Sequence, residues 1–339
     1  MAGNAGHSTK LEDTQVGAGG LAARRRVLLA RLAIERAGLL AQLLGLGVDA
    51  LAKVPAVGNW TVKDVLAHIA AWDRWQHRAM RALAEGRGPD LSASEDYHAA
   101  NDDFVARWSD RSLAEVVDEL QAARADWVAW LAELTEDEFF QRRSYAGEDW
   151  SFYGGQIEIM WEHDAQHAGE IAAWSVAGSW DGKTGPKSVL LAVLEATRLE
   201  LLACAAPVPV SERDTCPVCG VWTLKDVLGH IADWEQFGVC GLRDMAAGKA
   251  PQVEFIDDID AWNQVHASLR RDQPWEEVWA DLHTVRNALL ETLNDTSEAV
   301  LEGSYLFPWG AQGTAYQWLT VFAGHDQEHA KDLWPDMPG

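Results

Sequence analysis

Trp60-Thr-Val-Lys-Asp-Val-Leu-Ala-His-Ile-Ala-Ala-Trp72 returns later in the chain as Trp222-Thr-Leu-Lys-Asp-Val-Leu-Gly-His-Ile-Ala-Asp-Trp234, with ten of thirteen positions identical. The offset, 162 residues from Trp60 to Trp222, also pairs Val27-Leu-Leu-Ala30 with Val189-Leu-Leu-Ala192, Gly86 with Gly248, Pro89 with Pro251 and Asn101 with Asn263. It pairs His163-Asp-x-x-His-Ala168 with His325-Asp-x-x-His-Ala330 as well. A register held over so much of each half means that a whole domain is duplicated, not a short motif.

The quoted stretch reads as the start of a helix. Thr61 takes the N-cap position with Asp64 three residues on, the spacing of a capping box, and Trp60 precedes the cap where it can staple onto Val65. The helix runs to about Glu85, and Gly86 suits its C-terminal stop. Trp222, Thr223, Asp226, Val227 and Gly248 repeat every part of this pattern.

Three more helices flank it in each half. A first helix is expected over Leu21–Leu44, with Val27, Leu28, Leu32, Leu39, Leu40 and Leu43 at helical spacing. A third begins at Ser112 with Glu115 three residues on; its counterpart opens at Pro274 in a first turn. The fourth is expected over Tyr153–Val176 and Ala315–Leu333, and a shorter piece over Ser94–Trp108 joins the second to the third. Strand patterns are nearly absent. The fold class is therefore all-α: two tandem four-helix bundles, residues 21–177 and 188–339, expected to pair as a pseudo-dimer within the chain. Residues 178–187, rich in Gly, read as a linker, and Met1–Gly20 as a disordered tail.

Six of the eleven histidines sit at repeat-equivalent positions. His163 and His167, four apart, share one face of the fourth helix. His68, in the middle of the second helix, faces them from across the bundle. The second set is His230, His325 and His329. Three neutral imidazoles leave a coordination position open, the pattern of a catalytic metal rather than a closed structural one. The alternative is a set of hydrogen-bonded core histidines; the i, i+4 pair, the third partner and the duplication favour metal. Zinc is the first expectation, with nickel, iron or manganese also suited to imidazole. Trp72 and Trp234 follow the second-helix histidine by four residues and are expected to line a pocket. Asp164 and Asp326 point about 100° away from their neighbouring ligand, toward outer or surface contacts. No residue stands out as a general base.

Composition narrows the partners. With 52 acidic against 28 basic residues the net charge is −24, which repels a phosphate backbone and an anionic membrane surface. The acidity is read as solubility, with no nucleic acid and no membrane as partner. No apolar run is long enough to span a bilayer, and the N-terminal segment lacks the apolar core of a secretory signal. Four cysteines, all in the second half, do not make a disulfide scaffold, so a reduced, cytoplasmic protein is expected. Cys216-Pro-Val-Cys219 matches Val54-Pro-Ala-Val57, positions where a plain hydrophobe suffices. Arg24-Arg-Arg26 reads as the solvated start of the first helix.

The Trp-Thr-x-Lys-Asp-Val-Leu-x-His-Ile-Ala-x-Trp segment and the later His-Asp-x-x-His-Ala resemble the DinB-like superfamily of four-helix bundles. That superfamily includes mycothiol- and bacillithiol-dependent S-transferases, mycothiol-dependent maleylpyruvate isomerases and the ClbS/DfsB group. The resemblance covers about residues 21–177 and 186–334. It implies a metal triad of one histidine from the second helix and the His-x-x-x-His pair of the fourth, which are His68, His163 and His167, then His230, His325 and His329. Trp262-Asn263 and the stretch Leu134–Phe140 are similar to the ClbS/DfsB group. Three functions remain compatible: a metal-dependent enzyme acting on a small electrophile by thiol transfer or hydrolysis, with a low-molecular-weight thiol as possible cosubstrate; a protein that sequesters a small molecule; and a structural bundle with vestigial sites.

Overall fold

The structure, a computed structural model, describes residues 18–145, 148–150, 156–180 and 182–334. The first half runs α1 (Ala18–Ala41), α2 (Val48–Lys53), a hairpin of β1 (Pro55–Val57) and β2 (Trp60–Thr61), then α3 (Val62–Ala84). It continues through α4 (Ser92–Glu95), α5 (Tyr97–Trp108), α6 (Leu113–Glu133), α7 (Glu136–Phe140), a hairpin of β3 (Arg143–Tyr145) and β4 (Glu148–Trp150), and α8 (Ile157–Ala177). The second half repeats the plan: α9 (Lys187–Ala205), β5 (Pro217–Cys219), β6 (Trp222–Thr223), α10 (Leu224–Ala246), α11 (Ile259–Arg270), α12 (Trp275–Asp295), α13 (Glu298–Leu301), β7 (Ser304–Leu306), β8 (Gln312–Thr314) and α14 (Ala315–Leu333).

In each half four long helices pack as two close pairs, α1 with α8 and α3 with α6, then α9 with α14 and α10 with α12. The halves meet along α1 and α9, the first helix of each bundle. Leu39 and Leu40 of α1, with Leu43 in the turn just after it, share one buried cluster with Val189, Leu190 and Val193 of α9. Tyr316 Oη also accepts from the backbone N–H of Gly45 at 3.3 Å, so the second half reaches into the first beyond the helix contact. Among the described residues no helix is long and apolar enough to cross a membrane.

The capping boxes form as the spacing requires. Thr61 and Asp64 satisfy each other's backbone amides at the start of α3, as do Thr223 and Asp226 on α10 and Ser112 and Glu115 on α6. Gly86 and Gly248, both at φ +72°, end α3 and α10 in a conformation that side chains resist.

Several expectations need correction. α1 begins at Ala18, so residues 18–20 are helical rather than tail, and its α-helix ends at Ala41; residues 1–17 lie outside the described ones. Pro274 is the N-cap of α12 rather than its first helical residue. The connecting piece is two helices, α4 and α5, with Asp96 capping the second. The expected start of the fourth helix at Tyr153 lies outside the described residues, and α8 is helical from Ile157. Four antiparallel hairpins precede the second and fourth helices; strands of two or three residues are too short to show an alternation. Arg25 is not simply solvated: it donates to the carbonyls of Leu131 and Leu134, each at 2.6 Å, and closes the end of α6, where a cation is favoured.

Candidate metal centre

Each residue of the repeated segment has a task around one histidine. Thr61 and Asp64 start α3, and Lys63 sends its ammonium to the carbonyls of Trp108, Ser109 and Arg111 at 3.3, 2.8 and 3.0 Å, tying down the end of α5. Lys225 does the same for α11 through Arg271 and Gln273 at 2.9 and 3.1 Å. The Trp60 ring lies 5.0 Å from His68, and Trp222 lies 4.9 Å from His230. A tryptophan placed just before the cap thus reaches the histidine two turns into the helix.

The structure brings the expected histidines together in both halves, and their Nε2 atoms converge. His163 Nε2 lies 2.8 Å from His68 Nε2 and 3.1 Å from His167 Nε2. In the second half His325 Nε2 lies 2.9 Å from His230 Nε2 and 3.1 Å from His329 Nε2. His68, His167, His230 and His329 are buried, with His163 and His325 half-buried between them. On the far side of the ring, His167 Nδ1 meets Oε2 of Glu170 at 2.8 Å and His329 Nδ1 meets Oδ2 of Asp332 at 3.2 Å. A carboxylate there keeps the proton on Nδ1 and leaves Nε2 a bare lone pair. His230 Nδ1 is buried without a hydrogen-bond partner; packing against Trp222 orients that ring instead.

Burial, then the neighbouring imidazoles, pushes His68 and His163 down to about 3, His230 to about 2 and His325 to about 4. These rings stay neutral, the form that binds metal. Hydrogen bonding alone does not account for the arrangement, because one Nε2 proton on the central histidine cannot serve both of its short contacts. Three converging lone pairs are a donor set that could hold a cation. The nitrogens of a tetrahedral zinc lie about 3.3 Å apart, a few tenths of an ångström beyond the observed spacing, so the donor set fits such an ion. Sequence and geometry agree on the triads.

Behind each triad lies a feature that sequence reasoning missed. Arg36 of α1, Asp73 of α3, Arg124 of α6 and Asp164 of α8 meet in the core, one charge from each long helix. Arg36 contacts Asp73 at 2.8 Å and Asp164 at 3.0 Å; Arg124 contacts them at 2.9 and 3.1 Å. Arg36 and Arg124 also donate to the carbonyls of Leu120 and Leu32. Burial alone would raise Asp73, but Arg124 and Arg36 hold it below the usual carboxylate value. Arg198, Glu235, Arg286 and Asp326 build the same lattice in the second half. There the longer Glu235 leaves its Oε2, and Arg286 its Nε, without a partner. Asp164 and Asp326, expected to make outer or surface contacts, are fully buried members of these lattices. Their repeat-equivalent positions were the available signal; nothing in their spacing links four charges on four helices.

The tryptophans differ between the halves. Trp72 lies 6.5 Å from His68 and donates to Oδ1 of Asn101 at 2.8 Å; Trp234 lies 6.3 Å from His230 and donates to Asn263 at 2.9 Å. Trp72 is partly exposed, whereas Trp234 is buried against Trp262 and Trp309. The cysteines are free thiols. Cys219, placed by sequence among simple hydrophobes, has its Sγ 3.1 Å from Oδ2 of Asp332.

The profile of the DinB superfamily matches residues 31–171 and again residues 193–333. The chain belongs to this superfamily, as two copies in tandem with a histidine triad in each. No curated protein and no solved structure matches it.

Proposed function

We propose that each half holds a divalent transition metal, zinc first among them, on its three histidines, and that the chain is a metal-dependent enzyme. It acts on a small electrophilic molecule by thiol transfer or hydrolysis, in detoxification or self-resistance. The observation that carries this reading is the convergence of three Nε2 atoms in each half, where the central nitrogen has two short contacts that a single proton cannot serve.

An ion on three neutral imidazoles keeps a position for substrate and lowers the pKa of a group bound there. The chain's own part is positional. Glu170 and Asp332 hold the Nδ1 protons of His167 and His329, and Trp60 and Trp222 wall the second-helix histidine with apolar surface. Partly exposed Trp72 extends that wall in the first half, favouring an apolar or aromatic substrate. The acidic surface disfavours polyanionic substrates.

Elemental analysis of the untagged chain, beside His68→Ala and His230→Ala, tests the first step. Each variant should lose one equivalent of the metal bound by the wild type. Absence of metal from the wild type, with no uptake of zinc or nickel on titration, would refute the reading. Electrophile consumption with and without a low-molecular-weight thiol then separates transferase from hydrolase. Stoichiometric binding without turnover would assign the chain to sequestration.

A further inference from the structure

The two halves part company at one strand end. Val57 closes β1, and at the equivalent place Cys219 closes β5. Helix α14 packs against β5 and presents His329 and Asp332 to it, one turn apart. Cys219 Sγ lies 3.1 Å from Oδ2 of Asp332, and the same oxygen lies 3.2 Å from Nδ1 of His329. One donor atom from each of the three lies within 4.8 Å of the other two. In the first half His167 has its carboxylate in Glu170, but Val57 offers no donor.

We propose that the second half carries an additional divalent-metal site formed by Cys219 Sγ, the Asp332 carboxylate and Nδ1 of His329. Thiolate, imidazole and carboxylate together are a donor set for borderline-soft ions such as zinc, cobalt or cadmium. Ligands of one such ion lie about 3.2–3.8 Å apart, which small rotations of the Cys219 and Asp332 side chains reach. The way in is open, because the Asp332 side chain is 39% exposed and Cys219 is half-buried. Binding releases the Sγ proton to water, and the Nδ1 proton of His329 shifts to Nε2 when the triad is empty or leaves to water when the ring bridges two ions. The ring then serves the outer ion through Nδ1 and faces the triad with Nε2. A hydrophobe suffices for packing here, as Val57 shows; the thiol adds a donor aimed at a carboxylate. Cys216, exposed just before the same hairpin, is not part of the cluster.

The site depends on the triad reading only through the shared His329 ring, and the test keeps the two apart. Cadmium, and separately cobalt, is titrated into the metal-free full chain while the ultraviolet thiolate-to-metal charge-transfer band is followed. The band should saturate at one thiolate-bound ion per chain and vanish in Cys219→Val, which installs the first half's own residue. It should persist in Cys216→Val, and in His230→Ala, where the triad is broken but all three outer donors remain. Asp332→Asn should weaken the cadmium affinity at least about tenfold. A wild type without the band, a band that survives Cys219→Val, or one lost in Cys216→Val overturns the proposal.

Discussion

Oε2 of Glu170 lies 2.8 Å from Nδ1 of His167, and this contact decides which nitrogen of the ring is available to the triad. With the proton held on Nδ1, Nε2 meets its partners as a lone pair. Glu170→Gln keeps the length and hydrogen-bonding capacity of the side chain but removes the charge that holds the proton on Nδ1. Zinc affinity of the first half should fall about 10- to 100-fold, with little change in the stability of the metal-free chain. Competition against a chromophoric chelator, in a His230→Ala, Cys219→Val background that removes a donor from each site of the second half, measures this directly. Unchanged affinity would mean that packing alone orients His167.

Asp73 accepts from Arg36 and Arg124 with no solvent to share the charge. Removing it leaves two buried guanidiniums sharing Asp164 alone, an uncompensated core charge that typically costs about 3–5 kcal/mol. Asp73→Ala should lower the urea midpoint by an amount of that order, and Asp73→Asn by less, since it preserves hydrogen-bond acceptance. In the second half, where the lattice already leaves Glu235 Oε2 and Arg286 Nε unpartnered, Glu235→Ala should be the milder of the two alanine changes.

The triads were legible because packing alone does not call for histidines four apart on one helix, repeated with a third partner at a fixed offset. The caps were legible because Thr61 with Asp64, and Ser112 with Glu115, act within one helical turn, where sequence spacing is spatial spacing. The charge lattice was not. Arg36, Asp73, Arg124 and Asp164 each stand alone on their own helix, and only packing of all four helices makes them neighbours. The same holds for Cys219 and Asp332, which are 113 residues apart. Arg25 misled because a run of three arginines reads as solvated surface, while its guanidinium turns back onto the carbonyls that end α6.

Acid should weaken the metal-free chain through the triads. Burial and neighbouring imidazoles lower His68 and His163 to about 3 and His230 to about 2 from an ordinary 6.5. The folded state therefore binds fewer protons than the unfolded one below pH 6.5. The stability these groups contribute is fully present above that pH and is lost progressively as the pH falls toward their folded values. Urea melts of metal-free protein at pH 7.5 and 5 should show a smaller drop for the His68→Ala, His230→Ala double variant than for the wild type. Equal drops would place the acid sensitivity elsewhere, in the paired carboxylates.

Glu200 has the opposite sign. It lies on α9 and is 4% exposed. Burial first, with Asp326 and Glu35 adding like charge, pushes it up to about 7 from 4.5, although Gln327 donates to it and Lys331 is near. Its equivalent in the first half is Gly38, so the repeat does not require an acid here. Because its folded pKa exceeds the unfolded one, the folded state holds an extra proton between about pH 4.5 and 7, and stability declines as the pH rises through that window. Above pH 7 the charged carboxylate is a standing penalty of about 3 kcal/mol. Glu200→Gln should therefore stabilise the chain by that order at pH 8 and by little at pH 4.5, a difference that paired denaturant titrations would resolve. Stabilisation of the same size at both pH values would trace the effect to packing, not to the buried charge.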